Sequence, residues 1–441
     1  MKKPNLGILL KPVSHDCNMA CDYCYYRPVA GLYPDAPRPR MSLDVVDAVC
    51  EQYLRLEPQE IKLGWQGGEP TLMGLDFYRR VVEVEKRRAR PGDCFGNSLQ
   101  TNGVVLDEEW CSFLAANRFL VGLSLDGPAE LNAVRRFPNG RPAFDAAERA
   151  LSLLKAHRVE FNVLVVISRA NVAHPDRIFR FLVENDLHYA QFIPCTEPAG
   201  APRQVTDLSV SPDAYAEFMI GLFDAWAEQD DPAYYVRRID NYLHQFFGLP
   251  AECCEYRPEC SNLLTVEWNG DVYPCDFFVE ERYRLGNVGE QTLEQMLRGE
   301  AFRSFARQAE ALPAVCDGCP WLSCCHGGCY RHRAKLGIGA DEPPYLCEAN
   351  KRIFAHVFER LRFLKDEAAD RRLHAFLNRI GQDVAAGRLK GGPHTPGPAR
   401  RGALSRGGPR SPQRNDLCPC GSGRKYKHCC GKAVGLSHRS P

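Results

Sequence analysis

The chain has 441 residues, 44% of them hydrophobic and 25% charged, an ordinary balance for a folded protein of two or three domains. No apolar run approaches the roughly 20 residues of a membrane-spanning helix, so no membrane association is expected. The net charge of +1 hides an asymmetry: from Arg371 onward 15 Lys and Arg face 2 Asp and Glu, which leaves the preceding residues acidic by 12 charges.

The first segment, "MKKPNLGILLKPVSHDC", holds a short apolar run without a small-residue cleavage site, and reads as a first β-strand, not a signal peptide. A cytoplasmic location follows as an expectation, and there 21 cysteines point to metal or catalysis in place of a disulfide framework. Further strands are predicted at "EIKLGWQ", "NSLQTNG", "LVGLSLDG", "EFNVLVVIS" and "YAQFIPC". Helical patterns lie between them, among them "SLDVVDAVCEQYLRL", with Ser42 as N-cap, and "AFDAAERALSLLKAHR". Repeated βα units of this length imply an α/β fold with a parallel sheet, either an open barrel or a doubly wound sheet. The stretch "DCNMACDYCYY" follows the first strand directly, where the active-site face of such sheets lies. Its three thiols, Cys17, Cys21 and Cys24, suit a four-iron cluster with one iron left open. A partial zinc site completed by His15 is the alternative.

After the capped helix "SPDAYAEFMIGLFDAWAEQ", with Pro212 in its first turn, ten cysteines fall between Cys253 and Cys347. The strands "LLTVEW" and "DVYPCDFFV" around Asn269-Gly270 predict a hairpin. In it Cys275 and Asp276, as strand neighbours, would point to opposite faces. The rest is loop-rich, as expected of a region held by metal, and "NKRIFAHVFERLRFLKDEAADRRLHAFLNRI" closes it as a helix. The Gly- and Pro-rich "KGGPHTPGPARRGALSRGGPRSPQR" reads as a flexible basic linker. Cys50, Cys94, Cys111 and Cys195 read as buried small hydrophobes.

The C-x3-C-x2-C spacing with Tyr23 before the third cysteine resembles the signature of radical S-adenosylmethionine enzymes. "WQGGEPTLMGLDFY", "LQTNG", "GLSLDGP", "GRPAFD" and "QFIPC" extend the likeness, in order, to the anaerobic sulfatase-maturating enzymes, with "LNAVRR" departing at Asn132-Ala133. The resemblance implies a partial (β/α)6 TIM-like barrel over residues 1–250 and a cysteine-rich SPASM domain with its closing helix over 251–370. A helix end and linker would occupy 371–413. It implies cofactor contacts at Tyr23, Gly68, Ser124, Arg136 and Ala190, with Gly67 and Gly68 giving the cofactor's amino group room, and substrate contacts at Tyr26, Gln66 and Gln100. It assigns one auxiliary 4Fe–4S cluster to Cys254, Cys260, Cys275 and Cys329 and a second to Cys316, Cys319, Cys325 and Cys347, with Cys253 and Cys324 able to substitute for a neighbour. Four-cysteine zinc sites are the alternative there. Asp276 matches the family's general base.

The end of the chain, "NDLCPCGSGRKYKHCCGK", resembles the SEC-C motif over 414–434, with Cys418, Cys420, Cys429 and Cys430 on zinc and His428 as a competing ligand. The function implied is oxidation of a cysteine or serine in a sulfatase polypeptide to Cα-formylglycine through a 5′-deoxyadenosyl radical. Another SPASM enzyme forming thioethers or epimers, and a zinc-organised binding protein, are the alternatives. The expected cofactors are S-adenosylmethionine, three 4Fe–4S clusters and zinc. The expected partners are the sulfatase polypeptide, a flavodoxin- or ferredoxin-like electron donor and an unspecified partner of the tail, the chain itself being a monomer.

Overall fold

The structure, a computed structural model, describes residues 5–260 and 262–363. The linker, the SEC-C cysteines and the far end of the closing helix lie outside the described residues. Six strands, each followed by a helix, fall where the sequence pattern places them: β1 (Gly7–Lys11), α1 (Leu43–Arg55), β2 (Ile61–Trp65), α2 (Leu75–Arg88), β3 (Phe95–Thr101), α3 (Glu108–Ala116), β4 (Leu120–Ser124), α4 (Phe144–Ala156), β5 (Phe161–Ile167), α5 (Pro175–Glu184), β6 (Tyr189–Pro194) and α6 (Pro212–Gln229). A two-residue strand, β7 (Tyr235–Val236), and α7 (Arg237–Phe246) complete this part.

Pairing order decides between the two architectures the sequence leaves open. β1 to β7 pair in chain order, each parallel to the next. A doubly wound sheet would reverse its order at a switch point. The sequential order is that of an open barrel, with the helices outside. The strands alternate as half-buried strands must: in β2, Ile61, Leu63 and Trp65 are buried and Lys62 is exposed. Helix α1 starts at Ser42, whose hydroxyl accepts the Val45 N–H, and buries Val46, Val49, Cys50, Tyr53 and Leu54 at helical spacing. Each such side chain taken from water contributes about 1.5–3 kcal/mol.

The cysteine-rich part joins the same sheet. β8 (Leu263–Glu267) lies parallel to β1, Leu10 opposite Val266 and Lys11 opposite Glu267. β9 (Asp271–Tyr273) returns antiparallel through the Asn269-Gly270 turn, and β10 (Gly286–Asn287) forms the edge. Around this edge lie α8 (Leu293–Arg298), α9 (Glu300–Glu310), the one-turn helices α10 (Leu322–Cys325) and α11 (Arg331–Ala334), and α12 (Cys347–Phe363), which buries Ile353, Phe354 and Val357.

Two expectations are corrected. Strand β9 ends at Tyr273, before Pro274, which has no N–H to give the ladder. Asp276 therefore opens a 3-10 turn, and its carboxylate lies 3.5 Å from the Cys275 sulfur instead of on the opposite face. Cys50, Cys111 and Cys195 are buried, but Cys94 is exposed in the loop after the Pro91-Gly92 turn, before the pairing of β3 begins. Among the described residues no helix is long and apolar enough to cross a membrane.

Candidate active site

The loop from Pro12 to Tyr26 leaves the C-terminal end of β1 and carries the first three cysteines. It is strapped to its neighbours by backbone hydrogen bonds: Gly68 N–H to Ser14 O (2.5 Å), Glu69 N–H to Asp16 O (2.9 Å), Ala20 N–H to Arg136 O (2.8 Å) and Asp22 N–H to Val134 O (3.2 Å). Gly68 is required by this closeness, since a Cβ there would sit 1.9 Å from the Asp16 carbonyl oxygen. The glycine thus makes room first for the cysteine loop itself. Cys17 Sγ accepts from Met19 N–H at 3.3 Å and from the Asn102 amide at 3.8 Å. The Asn102 backbone is in turn held by Glu69, a buried carboxylate that also accepts from Thr71 and Thr101.

The three half-buried thiols act on one another electrostatically. Burial, then the nearby Glu69, pushes the Cys17 thiol up to about 12. Burial also raises Cys21, against the pull of Arg135. Three thiols held together in this way become thiolates when a cation meets them.

Tyr23 stands between the cysteine loop and the barrel. Its hydroxyl donates to Asp126 Oδ2 at 2.5 Å and accepts from Arg135 Nη1 at 2.8 Å. Asp126 is wholly buried and accepts the Val166 N–H at 2.8 Å, while its own N–H is taken by the Asn132 side chain at 2.9 Å. Asn132, the departure in "LNAVRR", is thus a cap on this network. Arg136 pairs with Asp22 at the rim. The Ser124 hydroxyl accepts from the Gln100 amide at 2.8 Å, and Ala190 is buried on β6 opposite Val163.

A cavity of ≈ 670 Å³ opens beside Tyr23 and Cys24 and is closed on the other side by Asp276, Phe277 and Arg331. Its size suits a bound small molecule or peptide side chain. The Tyr25 hydroxyl donates to Asp276 Oδ2 at 2.8 Å and lies 3.5 Å from the Gln66 amide. Burial, then the Asp276 charge, holds the Tyr25 phenol well above its ordinary value, so it stays neutral and donates. Tyr26 turns its hydroxyl to Glu267 beneath the cavity. The wholly buried Lys11 reaches Asp276 Oδ2 at 3.8 Å and donates to Gln66 Oε1 at 3.4 Å.

The later cysteines gather in two sets. Cys254, Cys260, Cys275 and Cys329 feel one another's charge, although they come from four separate turns. Cys316, Cys319, Cys325 and Cys347 line a second cavity with His332 and Asn350. The His332 imidazole is pushed down to about 3 by burial, with Arg331 and Arg238 adding to it, and is neutral. Cys253 adjoins Cys254 but lies in the field of Arg237, and Cys324 is buried in the main core. Among the described residues no three His, Cys, Asp or Glu side chains close around a single metal ion.

Family models match in three places: the Radical SAM superfamily over residues 12–182, an iron-sulfur cluster-binding domain (SPASM) over 254–320 and the SEC-C motif over 414–432. The chain is 33% identical over 396 residues to the serine-type anaerobic sulfatase-maturating enzyme of Bacteroides thetaiotaomicron, covering 86% of this chain and 95% of that one. It is 34% identical over 361 residues to the cysteine-type enzyme of Clostridium perfringens, covering 81% and 98%. The chain belongs to the anaerobic sulfatase-maturating enzymes.

Among solved structures, native anSMEcpe with bound AdoMet and Cp18Cys peptide superposes with a TM-score of 0.76 at 31% identity, covering 85% of this chain and 99% of that one. The family's radical SAM and SPASM domains imply S-adenosylmethionine and iron–sulfur clusters. The three thiol sets fit that demand, because each gathers soft sulfur donors into one place. Sequence reasoning missed Lys11, Asp126, Arg135 and Glu69. Asp126 and Glu69 lie inside quoted motifs, and Lys11 carries a signal of its own: a lysine ending an otherwise apolar strand.

Proposed function

We propose that this chain oxidises a cysteine or a serine in a sulfatase polypeptide to Cα-formylglycine. One observation carries the reading: in a sulfatase-maturating chain, Asp276 faces the same cavity as the cysteine loop, its carboxylate oriented by Tyr25. Cys17, Cys21 and Cys24 would hold a four-iron cluster with one iron free for S-adenosylmethionine, and the two later sets the auxiliary clusters. Bound there, these groups would supply the 5′-deoxyadenosyl radical chemistry able to take a hydrogen atom from the target Cβ, and an outlet for the second electron.

The chain's own residues do the rest. Asp276 accepts the proton of the target thiol or hydroxyl, and the neutral Tyr25, donating to Oδ2, orients its carboxylate in the cavity. Tyr23, Gly68, Ser124, Arg136 and Ala190 line the cofactor's side, and Gln66 and Gln100 the substrate's. Tyr26, which lines the cavity with its hydroxyl turned to Glu267, joins them on the substrate's side. The enclosing walls keep water from a reactive carbon centre. A serine gives the aldehyde directly, and a cysteine gives a thioaldehyde that water converts. Electrons come from a flavodoxin- or ferredoxin-like donor, and Cys418, Cys420, Cys429 and Cys430 bind zinc.

The test is anaerobic reconstitution with iron and sulfide, then incubation with S-adenosylmethionine, a reductant and sulfatase-motif peptides bearing Cys or Ser. Mass spectrometry of the peptide identifies the aldehyde, and 5′-deoxyadenosine is measured alongside. Asp276→Asn is expected to lower aldehyde formation by about 10²–10⁴-fold while 5′-deoxyadenosine still forms. Unchanged peptide from the wild type, with 5′-deoxyadenosine present, would sink the assignment.

A further inference from the structure

Lys11 ends β1, between β2 and β8, and is wholly buried. Burying an ammonium is costly unless charge and hydrogen bonds meet it. Here they come from two sides. Asp276 Oδ2 stands 3.8 Å from Nζ, Gln66 Oε1 accepts at 3.4 Å, and the Tyr26 ring lies under the ammonium at 4.3 Å. Glu267, opposite Lys11 in the sheet, also acts on its charge. The two carboxylates are not equivalent. Glu267 is wholly buried and takes the Tyr26 hydroxyl, whereas Asp276 lines the cavity.

We propose that Lys11 is a positioning residue of the reaction, its ammonium fixing the Asp276 carboxylate at the cavity wall and holding the Gln66 amide to it. The arrangement needs such an anchor. Asp276 sits beside Cys275, whose sulfur now lies 3.5 Å from Oδ1. Once that sulfur is a metal-bound thiolate, it repels the carboxylate instead of donating to it. Tyr25 and Lys11 are then the remaining described partners of Asp276. A tyrosine hydroxyl alone leaves the carboxylate free to turn about one hydrogen bond. The ammonium, meeting the same Oδ2 as a second, charged tether, restrains that freedom and ties the substrate-side Gln66 to the same point. This inference rests on the proposed reaction and extends it to a residue that touches neither substrate nor cofactor.

The experiment uses the reconstituted full-length enzyme and the Lys11→Met variant, which keeps the side-chain volume and removes the charge. Iron content, the visible spectrum and 5′-deoxyadenosine formation without peptide are expected to match the wild type. With saturating peptide, kcat for aldehyde formation is expected to fall about a hundredfold, with KM little changed and more 5′-deoxyadenosine spent per aldehyde. The double variant Lys11→Met/Asp276→Asn should be no slower than Asp276→Asn alone, since both remove one device. Should Lys11→Met fail to take up iron, Lys11→Arg keeps the charge and is expected to retain the wild-type ratio of 5′-deoxyadenosine to aldehyde. A Lys11→Met enzyme with wild-type kcat and ratio, losses that multiply in the double variant, or a Lys11→Arg enzyme with a disturbed ratio would overturn the role. Wild-type enzyme giving 5′-deoxyadenosine and no aldehyde would instead overturn the reaction itself.

Discussion

The loop after β1 and the stretch from Ala251 to Leu346 both gather cysteines, but they do so by different physics. The loop rests on a barrel whose strands bury Leu10, Leu63, Leu99, Val121 and Val163 almost completely, and it is tied down by backbone hydrogen bonds to residues 68, 69, 134 and 136. The later stretch joins the sheet and the main core through β8, β9, α8 and α9, but the turns that carry its cysteines are 3-10 turns and one-turn helices, with one small cluster around Phe278, Phe305 and Ala309 beside the main core. Short elements of this kind bury too little apolar surface to hold themselves. The first site is shaped by the fold before any metal arrives, and the second needs its ligands to complete it.

Iron removal should break the symmetry between them most visibly. In hydrogen exchange, the chelated protein is expected to keep full protection in β1 to β6 and in β8, which pairs with β1, while amides of the cysteine-bearing turns at 254–260 and 316–346 fall to the level of local fraying. Equal loss in both halves would refute the comparison. A smaller effect should come from the network that shapes the first site. Asp126→Ala leaves the Tyr23 hydroxyl without its buried acceptor and the buried Arg135 without the carboxylate charge beside it, and denaturant unfolding is expected to show a loss of about 3–5 kcal/mol.

Acidity separates the barrel further. Burial holds Glu85 up at about 7, against two hydrogen bonds from Asn97, while its ordinary value is 4.5. The raised value means that this group's contribution is fully present below its ordinary value and is lost as pH rises through about 7. Stability should therefore fall between those values by up to roughly 1.4 kcal/mol per pH unit from this group, and Glu85→Gln should flatten that slope in thermal melts. The smallest effect is at Ser42, where Ser42→Ala removes the cap on Val45 and should cost about 1 kcal/mol by denaturant titration.

Legibility followed the range of the interactions involved. The six barrel strands, the Ser42 and Ser211 caps and the Asn269-Gly270 hairpin all stand where local pattern puts them, because alternation, capping and turn chemistry act over a few residues. Failures came where one residue or a distant segment decides. Pro274 cut β9 short and re-aimed Asp276, and Cys94 lay just outside the element that would have covered it.

By itself, then, the sequence determined the βα repeat, the placement of three cysteines at the mouth of β1 and the family likeness carried by its ordered motifs. The residue pattern left an open barrel and a doubly wound sheet both possible, and the resemblance implied the barrel, which the chain-order pairing bears out. Tertiary structure alone decided that β8 adds itself to β1 and that Gly68 is spared a side chain for the sake of the Asp16 carbonyl. It alone brought Lys11, Tyr25, Gln66 and Asp276 to one point, from residues as far apart as 11 and 276. Periodicity records which side of an element is buried. Which buried charges meet is fixed only when strands from distant parts of the chain pair.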